Sequence, residues 1–321
     1  DSTLRLSFKE HLEPVYDLER IVSRIAYGTA NAKDLLALKN SLAQLPALQK
    51  SLAQGKSSYL RQLSEGFDVL ADIYELLEAA VHPEAPFSMR EGNLIRDGYN
   101  QEVDALRDVL VNGKQWLVDL EQRERERTGI RTLKVSYNKV FGYYIDVTRS
   151  KSGDVPEEYV RKQTLANSER FITPELKELE NRVLGADEKV KELEYQLFVQ
   201  LRNTVGTHVA RILHTAHSIA QIDCLFSLGQ AAVYHNFCKP VISEDGQYIL
   251  KDCRHPVVEE KLKDGWFIPN DVHFHPDKER FLIITGPNMA GKSTYCRSVA
   301  VASVRMQIGS FVPAREAVMP V

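Results

Sequence analysis

Residues 286–293 read GPNMAGKS and match the pattern G-x-x-x-x-G-K-[ST] of a phosphate-binding loop. Glycines in such a loop let backbone N–H groups turn inward toward an anion. Lys292 would place a positive charge beside the β- and γ-phosphates of a nucleoside triphosphate, and the Ser293 hydroxyl would hold Mg²⁺. The pattern therefore predicts a nucleotide site, and the alternative is a glycine turn that matches by chance.

The segments on either side of the loop come in the order that the motif requires. Residues 281–285, FLIIT, form a short apolar run typical of a buried strand. Residues 294–300 suit the start of a helix, whose N-terminal dipole end would favour bound phosphate. Hydrolysis also needs carboxylates for Mg²⁺ and for the attacking water. No apolar strand ending in Asp or Glu follows the loop, so we expect no catalytic residue in this sequence and no hydrolysis by this chain alone.

Composition is that of an ordinary globular chain. The 321 residues, 43% hydrophobic and 26% charged, suffice for two or three domains. No apolar run approaches the ~18 residues of a membrane span, and the first residues lack the features of a secretory signal. We therefore expect no membrane partner and a cytoplasmic location. The four cysteines form no C-x-x-C pair, which indicates reduced thiols.

Two further features allow alternative interpretations. His235, Cys238, Cys253 and His255 have a spacing that zinc could use, although they fall in different predicted elements, and side-chain packing is the alternative. Residues 128–170 contain eight basic and five acidic residues, a net charge of +3 in a chain whose net charge is −3. Such a basic segment suits contact with a phosphate backbone. A small exposed β module that simply carries charges would look the same.

Hydrophobic spacing predicts two long helices with a small sheet between them. Residues 1–127 are predicted to be almost wholly helical, with the first long helix from Asn100 to about Arg127. The second starts at Thr173 as N-cap with Pro174 at N1, continues to about residue 217, and more helix follows. Between them, alternation over 133–137, 143–148 and 159–172 predicts strands. From about residue 240, short strands surround the phosphate loop.

With these parts in place, the sequence resembles the MutS family of DNA mismatch-repair ATPases, and it is more similar to the bacterial members. The loop GPNMAGKS is similar to that family's variant of the motif. The other segments that carry the resemblance are DLERIVSRIAYG at 17–28, LKVSYNKVFGYYIDVT at 133–148, YVRKQTLANSERFITPEL at 159–176, RHPVVE at 254–259, FIPND at 267–271 and IGSFVPA at 308–314. Together they cover essentially the whole chain.

The resemblance implies a fold that is mainly α with a small β clamp insertion, followed by a truncated α/β P-loop domain of the ABC-like type. The implied domains are a helical core and lever over 1–127 and 177–238, a clamp over 128–176 and the first part of an ATPase domain over 239–321. The chain would then be the middle of a longer protein. Its truncated sheet predicts exposed apolar surface and loose order in the C-terminal end from about residue 300.

The resemblance also implies ligands and partners. These are ATP or ADP with Mg²⁺, duplex DNA with mismatches or small loops, a second copy in a homodimer, and MutL family proteins, in a bacterial cytoplasm beside the nucleoid. The implied nucleotide contacts are Gly286, Pro287, Asn288, Met289, Ala290, Gly291, Lys292, Ser293 and Thr294 in the loop, with Phe267, Ile268 and Asn270 near adenine. Ser293 would be the Mg²⁺ ligand. The clamp residues that could bind DNA phosphates are Arg131, Lys134, Asn138, Lys139 and Arg170.

Other functions stay open. Because the catalytic carboxylates are missing, the chain could be a DNA- or partner-binding module without turnover. It could also belong to another long-armed ATPase, of the chromosome-structuring or transporter kind, although the β module between the arms argues against this. Phe8-Lys9-Glu10 matches the letters of the family's mismatch-reading Phe-x-Glu motif, but it lies in a helical stretch and we interpret it as a chance match.

Overall fold

The computed structural model of the chain describes residues 2–138, 142–262 and 265–321. Contacts divide the chain into two compact units, each described separately below. The first unit comprises residues 1–15, 44–69 and 214–321, and the second comprises residues 16–43 and 70–213. The predicted division into core, clamp and ATPase domains remains a prediction.

Helices dominate the N-terminal part, but the prediction that residues 1–127 are almost wholly helical is too broad, because residues 81–100 form no helix. In chain order they are α1 (Ser2–Leu12), α2 (Leu18–Ala26), α3 (Ala32–Leu42), α4 (Leu45–Ala53), α5 (Ser58–Glu65) and α6 (Ala71–Ala80). Pro46 lies in the first turn of α4, where its missing N–H costs no intrahelical hydrogen bond. Phe8 is buried in α1, so it packs in a helix.

Two long helices, α7 (Gln101–Thr128) and α8 (Pro174–Gly206), pack against each other in the second unit. Both begin where the sequence predicts. The Asn100 side chain accepts hydrogen bonds from the N–H groups of Glu102 and Val103, and the Thr173 hydroxyl accepts one from Leu176 N–H. The prediction that α8 continues to about residue 217 is wrong: it ends at Gly206, and a separate helix, α9 (Val209–Tyr234), follows.

The β module between α7 and α8 is confirmed as a four-stranded antiparallel sheet. Its strands are β1 (Lys134–Asn138), β2 (Gly142–Thr148), β3 (Val160–Thr164) and β4 (Ser168–Ile172), in the order β1-β2-β4-β3. One face packs on the ends of the long helices. The core there consists of Leu117, Leu120, Ile130, Leu133, Ile145, Val147, Tyr159, Phe171 and Leu176. The two helices therefore hold the sheet at their ends.

A second sheet lies in the first unit. Its strands are β5 (Val241–Ile242), β6 (Tyr248–Cys253), β7 (Asn270–Phe274) and β8 (Glu316–Met319), in the order β5-β8-β6-β7. The short helix α10 (Pro256–Lys261) follows β6, and α11 (Lys292–Gln307) packs on the sheet. The expectation of a loose C-terminal end is wrong, because β8 occupies an internal position and buries Ala317 and Met319.

The predicted buried strand at 281–285 is also wrong. No described strand pairs with this run, and its side chains are exposed, with Phe281 at 81% and Ile283 at 80%. Apolar composition favours a strand only where neighbouring strands satisfy the backbone and another layer covers the side chains. The described strands of the second sheet pair with one another instead. The apolar surface that we expected to be exposed in the C-terminal end is present as well, at Val304, Ile308 and Phe311.

Candidate nucleotide site and basic sheet

The phosphate loop leads directly into the N-terminus of α11, as predicted. The helix begins at Lys292, after Gly291 at φ +89°, and no side chain caps its first turn. Gly286 has φ +154° and Met289 has φ +65°. A loop that combines left-handed residues with a helix start points backbone N–H groups toward one side, where they can bind an anion. The glycines serve this backbone path, since residues with a Cβ rarely adopt these angles.

The ammonium of Lys292 lies inside the loop. It donates to the carbonyl oxygens of Gly286 at 2.7 Å and Pro287 at 2.6 Å. These contacts hold a full positive charge between the two ends of the loop, next to the helix N-terminus. Ser293, the predicted Mg²⁺ ligand, is exposed beside it, as are Asn288, Met289 and Ala290. The donors required for phosphate therefore face solvent.

The segment predicted to contact adenine lies beside the same helix. The Tyr295 hydroxyl, in the first turn of α11, donates to the Asp271 carbonyl oxygen in β7 at 3.3 Å. Asn270 starts β7, and its side-chain amide donates to the Ile268 carbonyl oxygen at 3.1 Å. Phe267 is half-buried. The fold thus brings Asp271, which follows the predicted adenine residues, to Tyr295 at the start of α11, 24 positions later in sequence.

Trp266 was missed by the sequence reasoning. It precedes Phe267 and is 95% exposed, although indole side chains are usually largely buried. An exposed aromatic residue directly beside the predicted adenine segment could have been noted from its position alone. It supplies a natural fluorescent reporter for this site.

The sheet fixes the direction of α11. The Tyr248 hydroxyl in β6 contacts the Ser303 hydroxyl at 2.8 Å and donates to the Val299 carbonyl oxygen at 3.1 Å. Burial raises the pKa of Tyr248, so its hydroxyl stays protonated and remains a donor. Ala302 and Met306 of the helix are buried against β6 and β8. The N-terminus of α11 is therefore held by a packed helix.

The predicted DNA-binding residues do not all lie together on the first sheet. Arg131 and Lys134 are exposed near the start of β1, whereas Asn138 ends that strand. Lys139 lies outside the described residues. Arg149 is exposed directly after β2, at the same end of the sheet as Arg131, because β1 and β2 are antiparallel.

Arg170 already has partners within the sheet. Its guanidinium carbon lies 4.3 Å from the centre of the Tyr144 ring, and its Nη1 donates to Gln163 at 2.7 Å. Asp146 of β2 pairs in register with Lys134 on one side and with Arg170 on the other. One of its oxygens, Oδ1, is buried without a hydrogen-bond partner. The Asp146 carboxylate therefore offsets part of the positive charge of Lys134 and Arg170.

Several exposed bases keep their charge unpaired. Arg131, Lys134, Arg149 and Lys162 take part in none of the ion pairs found among the described residues, whereas Lys151 pairs with Asp154 at 2.9 Å. Arg149 and Lys162 belong to the basic segment 128–170 but not to the predicted DNA contacts. Unpaired exposed cations are the ones that can release counterions on binding a polyanion.

A buried polar network joins α7 to the sheet. The Tyr159 hydroxyl donates to the buried Glu124 carboxylate at 2.6 Å, and Arg127 donates to the same oxygen at 2.7 Å. Burial, together with Glu124, raises the pKa of Tyr159, and the Glu124 and Glu158 carboxylates raise the pKa of Arg127. Tyr159 therefore stays neutral and Arg127 charged, and both hold the sheet on its helix.

The residues considered for zinc serve other purposes. Across the described ranges, no group of three or more His, Cys, Asp or Glu side chains is placed to bind a metal ion. Cys253 is buried, which raises the pKa of its thiol to about 11 and disfavours the thiolate that zinc needs. His255 caps α10.

None of the helices in the described part of the chain is both long and apolar enough to span a membrane.

Comparison with known proteins adds a family assignment. The model of MutS family domain IV matches residues 98–189, and that of MutS domain V matches residues 282–321. Three relatives named DNA mismatch repair protein MutS come from Desulfitobacterium hafniense, Clostridium perfringens and Halothermothrix orenii. They are 52%, 49% and 51% identical to this chain over 100%, 99% and 96% of its length. The matches span only 37%, 35% and 34% of those relatives.

Proposed function

Because the chain belongs to the MutS family, we propose that it is part of a DNA mismatch-repair protein in which nucleotide binding at residues 286–293 controls a DNA clamp. The observation that carries the proposal is the phosphate loop at the start of α11, with Lys292 inside it and β7 beside it. Membership of the family supports a role in DNA mismatch repair, and the loop supports nucleotide binding.

The residues present fit ATP or ADP with Mg²⁺. Lys292 would exchange two carbonyl contacts for phosphate oxygens, which bind an ammonium more strongly because they are charged. The uncapped N–H groups of α11 would donate to the same phosphates. Ser293 would bind Mg²⁺, which neutralises phosphate charge when bound. Phe267, Ile268 and Asn270 would contact adenine. We propose binding by this chain and, for the longer family members, hydrolysis.

Calorimetric titration with Mg²⁺ and ATP tests the nucleotide site. We expect a saturable heat with the chain and a loss of at least about tenfold in affinity for Lys292→Ala, since one charge-assisted phosphate contact contributes about 1.5–3 kcal/mol. Lys251→Ala is a matched control, because this lysine lies in β6, outside the phosphate loop, and is already paired with Asp271. Equal affinities of chain and Lys292→Ala would refute the site.

For DNA, we propose that the first sheet contacts the phosphate backbone of duplexes that contain mismatches or small loops. Arg131 and Lys134 support this, since both are exposed and neither is in an ion pair among the described residues. Asn138, Lys139 and Arg170 remain candidates, Arg170 with the partners described above. Assembly into a homodimer and contact with MutL family proteins follow from the resemblance alone.

Salt dependence of duplex binding tests the sheet's role. The logarithm of the DNA-binding constant falls linearly with the logarithm of the salt concentration, and each lost phosphate contact makes this slope shallower by about one. We expect this reduction for Arg131→Ala and Lys134→Ala, measured by fluorescence anisotropy of a labelled mismatched duplex. Lys151→Ala removes an exposed charge that is already paired with Asp154 and should leave the slope unchanged. Equal slopes for all three variants would contradict the assignment.

A further inference from the structure

Just beyond the end of α9, the Phe237 ring lies near two guanidinium groups and stacks on the His235 ring, with 5.4 Å between the ring centres. Phe237 is 9% exposed and follows Asn236, which has φ +53° and ends the helical path. The guanidinium carbon of Arg305 lies 4.7 Å from the centre of the Phe237 ring, and that of Arg254 lies 6.0 Å from it. Both distances suit cation–π interactions. We call Phe237, Arg254 and Arg305 the Phe237 joint.

Each arginine is tied to a different element of the first unit. Arg254, directly after β6, donates to the carbonyl oxygens of His235 at 2.9 Å and Asn236 at 3.0 Å. Arg305, in the last turn of α11, donates to the Phe311 carbonyl oxygen at 2.9 Å. The joint therefore connects α9, the sheet and α11 through side chains with fixed planar geometry.

Backbone hydrogen bonds close the same junction. Cys238 and Val312 exchange two N–H···O bonds, each 3.0 Å long, and Phe237 N–H donates to the Ala232 carbonyl oxygen at 2.8 Å. The segment after α11 and the segment after α9 are thus paired directly. Any shift of the α11 C-terminus must either move residues 235–238 or break these contacts.

The other end of α11 is the proposed phosphate site. Lys292 starts the helix and Arg305 lies thirteen residues later, about 20 Å along the axis. A helix packed on a sheet moves as a rigid body, so a displacement at its N-terminus reaches its C-terminus. Phosphate binding at that N-terminus would exchange the bonds of Lys292 with the loop's own carbonyl oxygens for bonds with phosphate oxygens.

We propose that the Phe237 joint transmits nucleotide occupancy from the start of α11 to the end of α9. The inference rests on the proposed nucleotide site. Phe237 acts here as a positioning residue: it contacts no proposed ligand and works through Arg305. Because the Phe237 ring contacts both Arg305 of α11 and His235 at the end of α9, a tilt of α11 is passed on to Phe237 and from there to α9.

Hydrogen–deuterium exchange of the whole chain tests the joint, with and without Mg²⁺ and a non-hydrolysable ATP analogue. The reporters are the amides of residues 231–238, which close the end of α9. We expect the analogue to change their exchange several-fold in the unsubstituted chain. Phe237→Leu keeps an apolar side chain but loses the ring, so it should bind the analogue normally and lose this change. Phe237→Tyr keeps the ring and should restore it.

Two variants separate transmission from simple loss of packing. Phe274→Leu removes a ring from the core between α11 and the second sheet, where it packs edge-on against Tyr248 at 5.7 Å and has no guanidinium over it among the described residues. It should keep the nucleotide-dependent change even if basal exchange rises. Arg305→Lys keeps the charge but loses the planar group, and it should lose the change as Phe237→Leu does. It also serves as the test if Phe237→Leu does not fold.

The outcomes are distinguishable. An unchanged nucleotide-dependent difference in Phe237→Leu and Arg305→Lys would overturn the joint and leave the nucleotide site intact. Binding of the analogue by the unsubstituted chain without any change at 231–238 would do the same. Failure of the unsubstituted chain to bind the analogue, by calorimetry on the same samples, would refute the proposed nucleotide site and with it this inference.

Discussion

The two long helices of the second unit approach each other at Gly113 of α7 and Val183 of α8. A Cβ atom placed on Gly113 would lie 2.4 Å from Val183 Cγ2. Carbon atoms pack best at about 3.5–4.0 Å, so an alanine there is more than 1 Å too close. Val183 is 7% exposed and β-branched, so it has little freedom to rotate away. Gly113→Ala must therefore push the helices apart or strain the valine.

The size of the effect follows from two opposing contributions. Overpacking of a filled core costs about 1–3 kcal/mol, and a clash this short belongs in the upper part of that range. Alanine in a helix interior gains about 1 kcal/mol over glycine. We expect Gly113→Ala to lower the free energy of unfolding by about 1–2 kcal/mol. Gly185→Ala in α8 is the matched control, because among the described residues no atom outside its own stretch of helix lies within 4 Å of its Cβ position. It should raise that free energy by about 0.5–1 kcal/mol.

Trp116 gives a local readout of this helix pair. It lies in α7 near Gly113, with the Arg182 guanidinium of α8 over its ring at 4.7 Å. The chain has two tryptophans, so a Trp266→Phe background leaves Trp116 as the emitter. Urea unfolding followed by Trp116 fluorescence should show opposite midpoint shifts for the two variants. Stabilisation by both would refute the close approach of α7 and α8.

Two further predictions concern buried groups. Tyr159→Phe removes the hydrogen bond to the buried Glu124 carboxylate. Because that charge loses a donor, the free energy of unfolding in urea should fall by about 1.5–3 kcal/mol. Tyr27→Phe, at an 85% exposed site, should leave that free energy unchanged. At pH 8 the Cys253 thiol, with its pKa of about 11, is about one part in a thousand thiolate. Ellman's reagent should therefore label the exposed Cys224 and Cys296 first. Labelling of native Cys253 should increase as the pH rises toward 11, and rapid labelling at pH 8 would contradict its burial.

Local signals explain which elements could be predicted from sequence. The starts of α7 and α8 depend on local residues. The Asn100 and Thr173 side chains accept hydrogen bonds from N–H groups of the first turn, and Pro174 has no N–H that would need a partner. The hairpin of β1 and β2 depends on alternation within a few residues. In each case the deciding interaction lies close in sequence, so one sequence suffices to find it. The same holds for the phosphate loop at the start of α11.

Long-range partners explain what could not be predicted. The run at 281–285 has the composition of a strand, but a strand also needs neighbours, and the described strands pair elsewhere. Arg170 could be recognised as a base, but its stacking on Tyr144 depends on the register of β2 and β4. The Phe237 joint unites positions 237, 254 and 305, which no local pattern connects. Whether the predicted nucleotide and DNA contacts form remains a prediction.

The most direct test of the central claim is Trp266 fluorescence during titration with Mg²⁺ and ATP, in a Trp116→Phe background. Trp266 is exposed next to the proposed adenine segment, so we predict a saturable change in its emission that is lost in Lys292→Ala. Inorganic tripolyphosphate, which lacks adenine, should compete with ATP and leave the emission unchanged. No saturable change with ATP, or an unaltered one in Lys292→Ala, would contradict a nucleotide site formed by the loop and the start of β7.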